Sequence, residues 1–96
     1  LMRAAWLTEL RRQGHRQCND SFNAGKGNVC AQGLLAEIAG RKTTNRTQVV
    51  TVAKLAGLTG QQGSWVADLN DGLWPMINKH SFTQIADVVE GWFPND

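Results

Sequence analysis

The stretch that most constrains this chain runs from Ser81 to Pro94. Ser81 followed three residues later by Gln84 is a capping-box pattern. The hydroxyl of the first residue accepts a backbone N–H of the coming helix, and the amide of the second reaches back to the chain entering it. Phe82, Ile85, Ala86, Val89, Trp92 and Phe93 then fall on one helical face, and Thr83, Gln84, Asp87 and Glu90 on the other. Pro94, which cannot continue a helix, closes the run. A one-sided apolar helix has to be covered by another element. In a chain of 96 residues, long enough for one core, this predicts helices packed on helices in a single domain, residues 1–96.

The remaining segments extend that reading. Met2, Trp6 and Leu10 recur every fourth residue and predict a helix over 2–13, with Gly14 at its end. His15 to Asn28 is rich in Asn, Asp and Gly and reads as loop, anchored by Phe22. A helix follows over about 29–39, with Cys30, Leu34 and Ile38 on one face and Gly33 marking a close approach of another segment. Thr43, Thr44 and Asn45 offer caps for a further helix over 46–56, against which the β-branched run 47–52 argues for a strand; the helix is favoured. TGQQGS at 59–64 reads as loop, Trp65 to Leu69 as a short strand or turn, and Asp71-Gly72 as a turn pair. The expected fold is therefore mainly α, a small bundle of about four helices, with room for a short β-hairpin near residues 64–77.

Charge is unevenly divided. Residues 1–48 hold eight Lys/Arg against three Asp/Glu, and residues 49–96 hold two against five, within a net charge of only +2. A basic half suits phosphate-bearing ligands, or attraction to the acidic half within the fold or across a dimer. No apolar run approaches the roughly 18 residues of a membrane span, and Leu1 to Leu10 carries Arg3 and Glu9 in place of a signal peptide's apolar stretch. A cytoplasmic protein without membrane contact is expected.

Catalytic and metal chemistry find little support. His15, Cys18, Cys30 and His80 are possible ligands, but a structural zinc site shows two close pairs and only His15 and Cys18 make one. Cys30 on an apolar stripe reads as an inert small hydrophobe, and a Cys18–Cys30 disulfide, though sterically open, runs against a reducing cytoplasm. No base is placed beside a nucleophile in a recognisable motif. Paired carboxylates such as Asp68 and Asp71 could do acid–base work in a cleft, but they sit in turn-like sequence. Neither an enzyme nor a cofactor or metal is expected. Ser81 to Asp87 is similar to the first helix of a helix-turn-helix, but a recognition helix should follow it and its outer face is acidic, which weakens a small DNA-binding regulator.

Binding residues are easier to nominate. The Gly25-Lys26-Gly27-Asn28 loop precedes a helix start, where backbone N–H groups can meet a phosphate, although it lacks the full phosphate-loop pattern. Arg12, His15, Arg16, Lys26 and Asn28 are the expected phosphate contacts. Four Trp residues are many for this length. Trp6 and Trp92 lie on apolar helix faces and read as core. Trp65 and Trp74 lie in loop-like sequence, where an indole can stack on a base or on a partner's side chain.

The series Trp6, Leu10, Gln17, Cys30-Ala31-Gln32-Gly33-Leu34-Leu35, Leu69-Asn70-Asp71 and Ser81-Phe82-x-x-Ile85-Ala86-Asp87-x-Val89-Glu90 resembles a family of small uncharacterised phage and prophage proteins with the pattern W-x3-L…Q…C-x-x-G-x-L…LND…SFxxIADxxE. His15 stands where that family often has Tyr, Gln32 where it has an aliphatic residue, and the 72–80 connection is longer. The resemblance implies a phage-associated origin and, by itself, no activity. Joined to the basic half, the glycine-rich loop and the surplus Trp, it leads to an expected counter-defence protein. Such a protein would sequester a nucleotide-type immune signal as a homo-oligomer in the cytoplasm of an infected bacterial host. A protein-binding inhibitor of a host enzyme or CRISPR effector is the alternative.

Overall fold

The computed structural model describes residues 2–19, 23–25 (backbone only), 27–43, 47–73 and 75–95. Phe22, Thr44 and Asn45, given roles above, lie outside these residues. The described chain is mainly helical: α1 Arg3–Arg12, a short antiparallel pair β1 Asn23–Gly25 and β2 Asn28–Val29, then α2 Ala31–Ile38, α3 Val49–Ala53, α4 Gly60–Asp71 and α5 Phe82–Gly91. Single 3-10 turns at Gly14–Arg16 and Lys54–Ala56 follow α1 and α3.

α5 is built as its sequence requires. Both halves of the Ser81/Gln84 capping box are formed, and Phe82, Ile85, Ala86 and Val89 are fully buried. They face α1, whose Trp6 and Leu10 are equally buried, and Arg11 ties the two helices at the surface through Asp87 (2.9 Å) and Glu90 (3.4 Å). The Trp6 indole N–H donates to the Ala31 carbonyl at 2.8 Å, so the one polar atom of a core residue is satisfied. α2 is the central element. Every residue from Ala31 to Ala36 is buried, as expected of a helix that is apolar nearly all round. Its one buried amide, Gln32, donates to the Gly63 carbonyl of α4 at 2.7 Å.

Three expectations change. Cys30 does not line a face of α2; it is the N-cap, and its sulfur accepts from the Gly33 N–H at 3.3 Å. The stretch read as loop and then as a short strand or turn, residues 59–69, belongs to α4 from Gly60 onward, and among the described residues of 64–77 no strand pair is formed. Strand pairing occurs instead at 23–29, and residues 73–77 contribute a single Leu73–Ile77 bridge. With α4 the described residues hold five α-helices, in keeping with the small, mainly helical bundle expected. The reason for α4 is visible at its two glycine positions. Thr59 and Gln62 form a complete capping box that starts the helix. Gly63 then sits where an added Cβ would lie 2.7 Å from the Ala53 Cβ of α3, so the residue that weakens α4 locally is the one that lets it seat. Of the helix favoured over 46–56, residues 49–56 are helical, Thr47 and Gln48 precede the helix, and Arg46 lies outside the described residues.

Candidate functional site

Among the described residues, two of the expected phosphate contacts, Arg12 and Arg16, are engaged in ion pairs. Arg16, on the turn after α1, makes a two-pronged pair with Glu37 (2.8 and 2.7 Å), donates to Gln13 Oε1 at 2.6 Å and reaches the Gly27 carbonyl. These bonds raise its pKa, with the Glu37 hydrogen bond as the leading cause. Arg16 therefore acts as an internal staple between α1, the β-turn and α2. Arg12 pairs with Glu9, one helical turn back. His15 and Asn28 are exposed on neighbouring turns that Arg16 joins through Gly27. Trp65 lies on α4, 45% exposed, with its ring tilted against Trp92 at a centroid distance of 5.8 Å. Lys26 and Trp74 lie outside the described residues.

Two polar places were missed by sequence reasoning. The first is a junction centred on Asn70, near the end of α4 and 2% exposed. Gln17 and Val29 form a parallel bridge, and the Cys18 N–H donates to the Val29 carbonyl at 2.9 Å. The next bond of such a ladder would join the Ala31 N–H to the Cys18 carbonyl. The Asn70 carboxamide stands between them. Its Oδ1 accepts from Ala31 N at 3.0 Å and its Nδ2 donates to the Cys18 carbonyl at 2.8 Å, so a side chain stands in for a peptide group. Gln17 Nε2 adds bonds to Asn70 Oδ1 (3.2 Å) and to the His80 carbonyl (2.7 Å), and Asn70 Nδ2 also reaches Asp71 Oδ1 at 2.9 Å. A shallow cavity of about 390 Å³ lined by Gln17, Asn19, Lys79 and His80 opens beside it.

The second place lies between the end of α2 and the start of α3. A cavity of about 540 Å³ is lined by Arg41, Lys42, Thr43, Thr47, Gln48 and Thr51, with Ala36, Val52 and Leu55 as its apolar wall. Ala36 and Val52 belong to the core, so the cavity is a mouth in the bundle with a polar rim. Arg41 and Lys42 are exposed, and their side chains meet no acidic partner among the described residues. The volume suits a small ligand, and the arrangement of cations, hydroxyls and an amide above an apolar wall matches such sites. The signal in the sequence was the run of cations and hydroxyls after Gly40, which reads more readily as helix-end charge and caps.

Among the described residues no group of three His, Cys, Asp or Glu side chains is placed to hold a metal ion, and no helix is long and apolar enough to cross a membrane. No protein-family model matches the chain, and neither a curated protein nor a solved structure does so.

Proposed function

We propose that this is a non-catalytic binding protein for a phosphate-bearing, nucleotide-type small molecule, with the Arg41/Lys42 cavity as its site. The observation that carries the reading is a pair of cations, without an acidic partner among the described residues, at the rim of a mouth of about 540 Å³. A phosphate there meets charge from Arg41 and Lys42 and hydroxyl donors from Thr43 and Thr51, while the rest of the ligand covers Val52 and Leu55. The cavity lies apart from the residues first nominated, of which Arg16 spends its donors on Gln13, Gly27 and Glu37 and Arg12 pairs with Glu9. In the phage setting that the sequence resemblance implies, such a protein sequesters an immune signal and counters host defence, as a homo-oligomer in the host cytoplasm. A docking inhibitor of a host or effector protein is the second reading. It is favoured by Trp65, Leu73 and Met76, which are 45%, 43% and 76% exposed.

The test is a thermal-shift panel of inorganic phosphate, mononucleotides, cyclic di- and trinucleotides and ADP-ribose. A ligand at a hundredfold its Kd adds about 2.7 kcal/mol, roughly 10 °C or more in Tm for a domain of this size. Arg41→Glu and Lys42→Glu should abolish the shift, and Arg12→Glu should leave it. A shift that survives both cavity reversals refutes the site. A silent panel together with a stoichiometric protein complex refutes the ligand class and favours the inhibitor.

A further inference from the structure

We infer that Cys18 and Cys30 form a modification site, a pair of thiols set to close into an intramolecular disulfide. The argument is one of register. Gln17 and Val29 are bridge partners on parallel segments, and the Cys18 N–H bonds to the Val29 carbonyl at 2.9 Å. Cys18 and Cys30 are therefore the next residue on each segment, tied by the one hydrogen bond from the Cys18 N–H to the carbonyl just before Cys30. Parallel neighbours lie about 4.8 Å apart, and disulfides span Cα separations of about 4.4–6.8 Å. Just beyond, the Asn70 carboxamide links the two segments at Cys18 and Ala31. Both cysteines are half-buried thiols, so neither is sealed in the core.

The two are not equivalent. Burial pushes the Cys30 thiol up; hydrogen bonds from the Gly33 and Gln32 N–H groups work against this, and nearby Cys18 and Asp71 add to it. Its cap and its burial hold the Cys30 thiol back, and the exchange starts at Cys18. With oxidised glutathione as the oxidant, the Cys18 thiolate attacks one glutathione sulfur, breaks its S–S bond and expels a glutathione thiolate. Cys30 then loses its proton to solvent, attacks the Cys18 sulfur of the mixed disulfide and expels the second glutathione. The protein loses two hydrogens and two electrons, and oxidised glutathione becomes two reduced molecules.

The full chain, dilute and native, is incubated in glutathione buffers from reducing to oxidising and followed by intact mass and peptide mapping. The expected product has lost two hydrogens, links Cys18 to Cys30 and is restored by dithiothreitol. It should form at least tenfold faster than in denaturant, where the register is gone. Cys30→Ser, which keeps a capping oxygen, should halt at a glutathione adduct on Cys18, and Cys18→Ser should yield no internal link. The inference is overturned by a wild-type chain that stops at the adduct, links only to other chains or remains two thiols throughout. Closure no faster in the native protein than in denaturant overturns it equally.

Discussion

The Asn70 junction and the Arg41/Lys42 cavity are both polar, yet one is closed and the other open. At the junction every hydrogen-bonding atom of the Asn70 carboxamide has a partner inside the protein, and the partners come from three separate segments. At the cavity two cations stand over an apolar wall and find none among the described residues. The difference separates polar groups that hold the fold from polar groups left for something else. A buried amide with its bonds made contributes to stability, and removing it strands its partners. An exposed cation without a partner contributes little to stability and is free to meet an anion.

The sharpest way to break this comparison is Asn70→Ala. It leaves the Ala31 N–H and the Cys18 carbonyl without their partner in a buried place, at about 1–3 kcal/mol each. A loss of about 3 kcal/mol or more in urea denaturation is expected. Asn70→Asp keeps the acceptor for Ala31 but turns a carboxylate toward the Cys18 carbonyl and Asp71 in a buried place, so it should destabilise as well. A loss under about 1 kcal/mol for Asn70→Ala would show that the junction is not what joins these segments.

A smaller effect sharpens the other side. α3 carries Thr51 and Val52 of the cavity and is seated on α4 at Gly63. Gly63→Ala drives a methyl to 2.7 Å from the Ala53 Cβ and should cost about 1–3 kcal/mol. Gly91→Ala, at the end of α5, meets nothing within 4 Å and should be neutral or stabilising by up to about 1 kcal/mol. If the two substitutions behave alike in thermal unfolding, the α3–α4 contact is not tight and the cavity wall is not set by it.

Legibility in the sequence follows the same divide. α1 and α5 were readable because a local signal and the tertiary packing agree: a cap or stop residue and apolar positions on one face. α2 was readable as an apolar run closed by Gly40, though not the place of Cys30 in it. α4 was not, because GQQG carries no periodic signal and two glycines. Its helix depends on Thr59 for a start and on the α3 surface for a seat, and the second is not local information. The site was harder still. Arg16 looks in sequence like any loop cation, and only the fold brings Glu37, twenty-one residues away, against it. Asn70 was passed over for the same reason, since its partners are thirty-nine and fifty-two residues distant.

The smallest and most specific contrast is between two arginines. Arg16 is 20% exposed and Glu37 48%, so their pair is a solvent-screened one worth about 0–1 kcal/mol. Arg16→Ala should therefore cost about 1 kcal/mol once its bonds to Gln13 and the Gly27 carbonyl are included, whereas Arg41→Ala should stay within about 0.5 kcal/mol of wild type. Their pH dependence separates them further. The Arg16 guanidinium holds the Glu37 carboxyl below its usual value near 4.5. A carboxyl depressed in the folded state stabilises above its unfolded value, and that contribution fades as pH falls through the lower folded value. The gap between wild type and Arg16→Ala should thus be flat from neutral pH to about pH 5 and narrow below 4.5, while Arg41→Ala should track wild type throughout. Denaturation curves collected from pH 7 to pH 3 decide it. A gap for Arg16→Ala that stays constant down to pH 3 would remove Glu37 from the account, and an acid-sensitive gap for Arg41→Ala would mean that the cavity cation has a carboxylate partner after all.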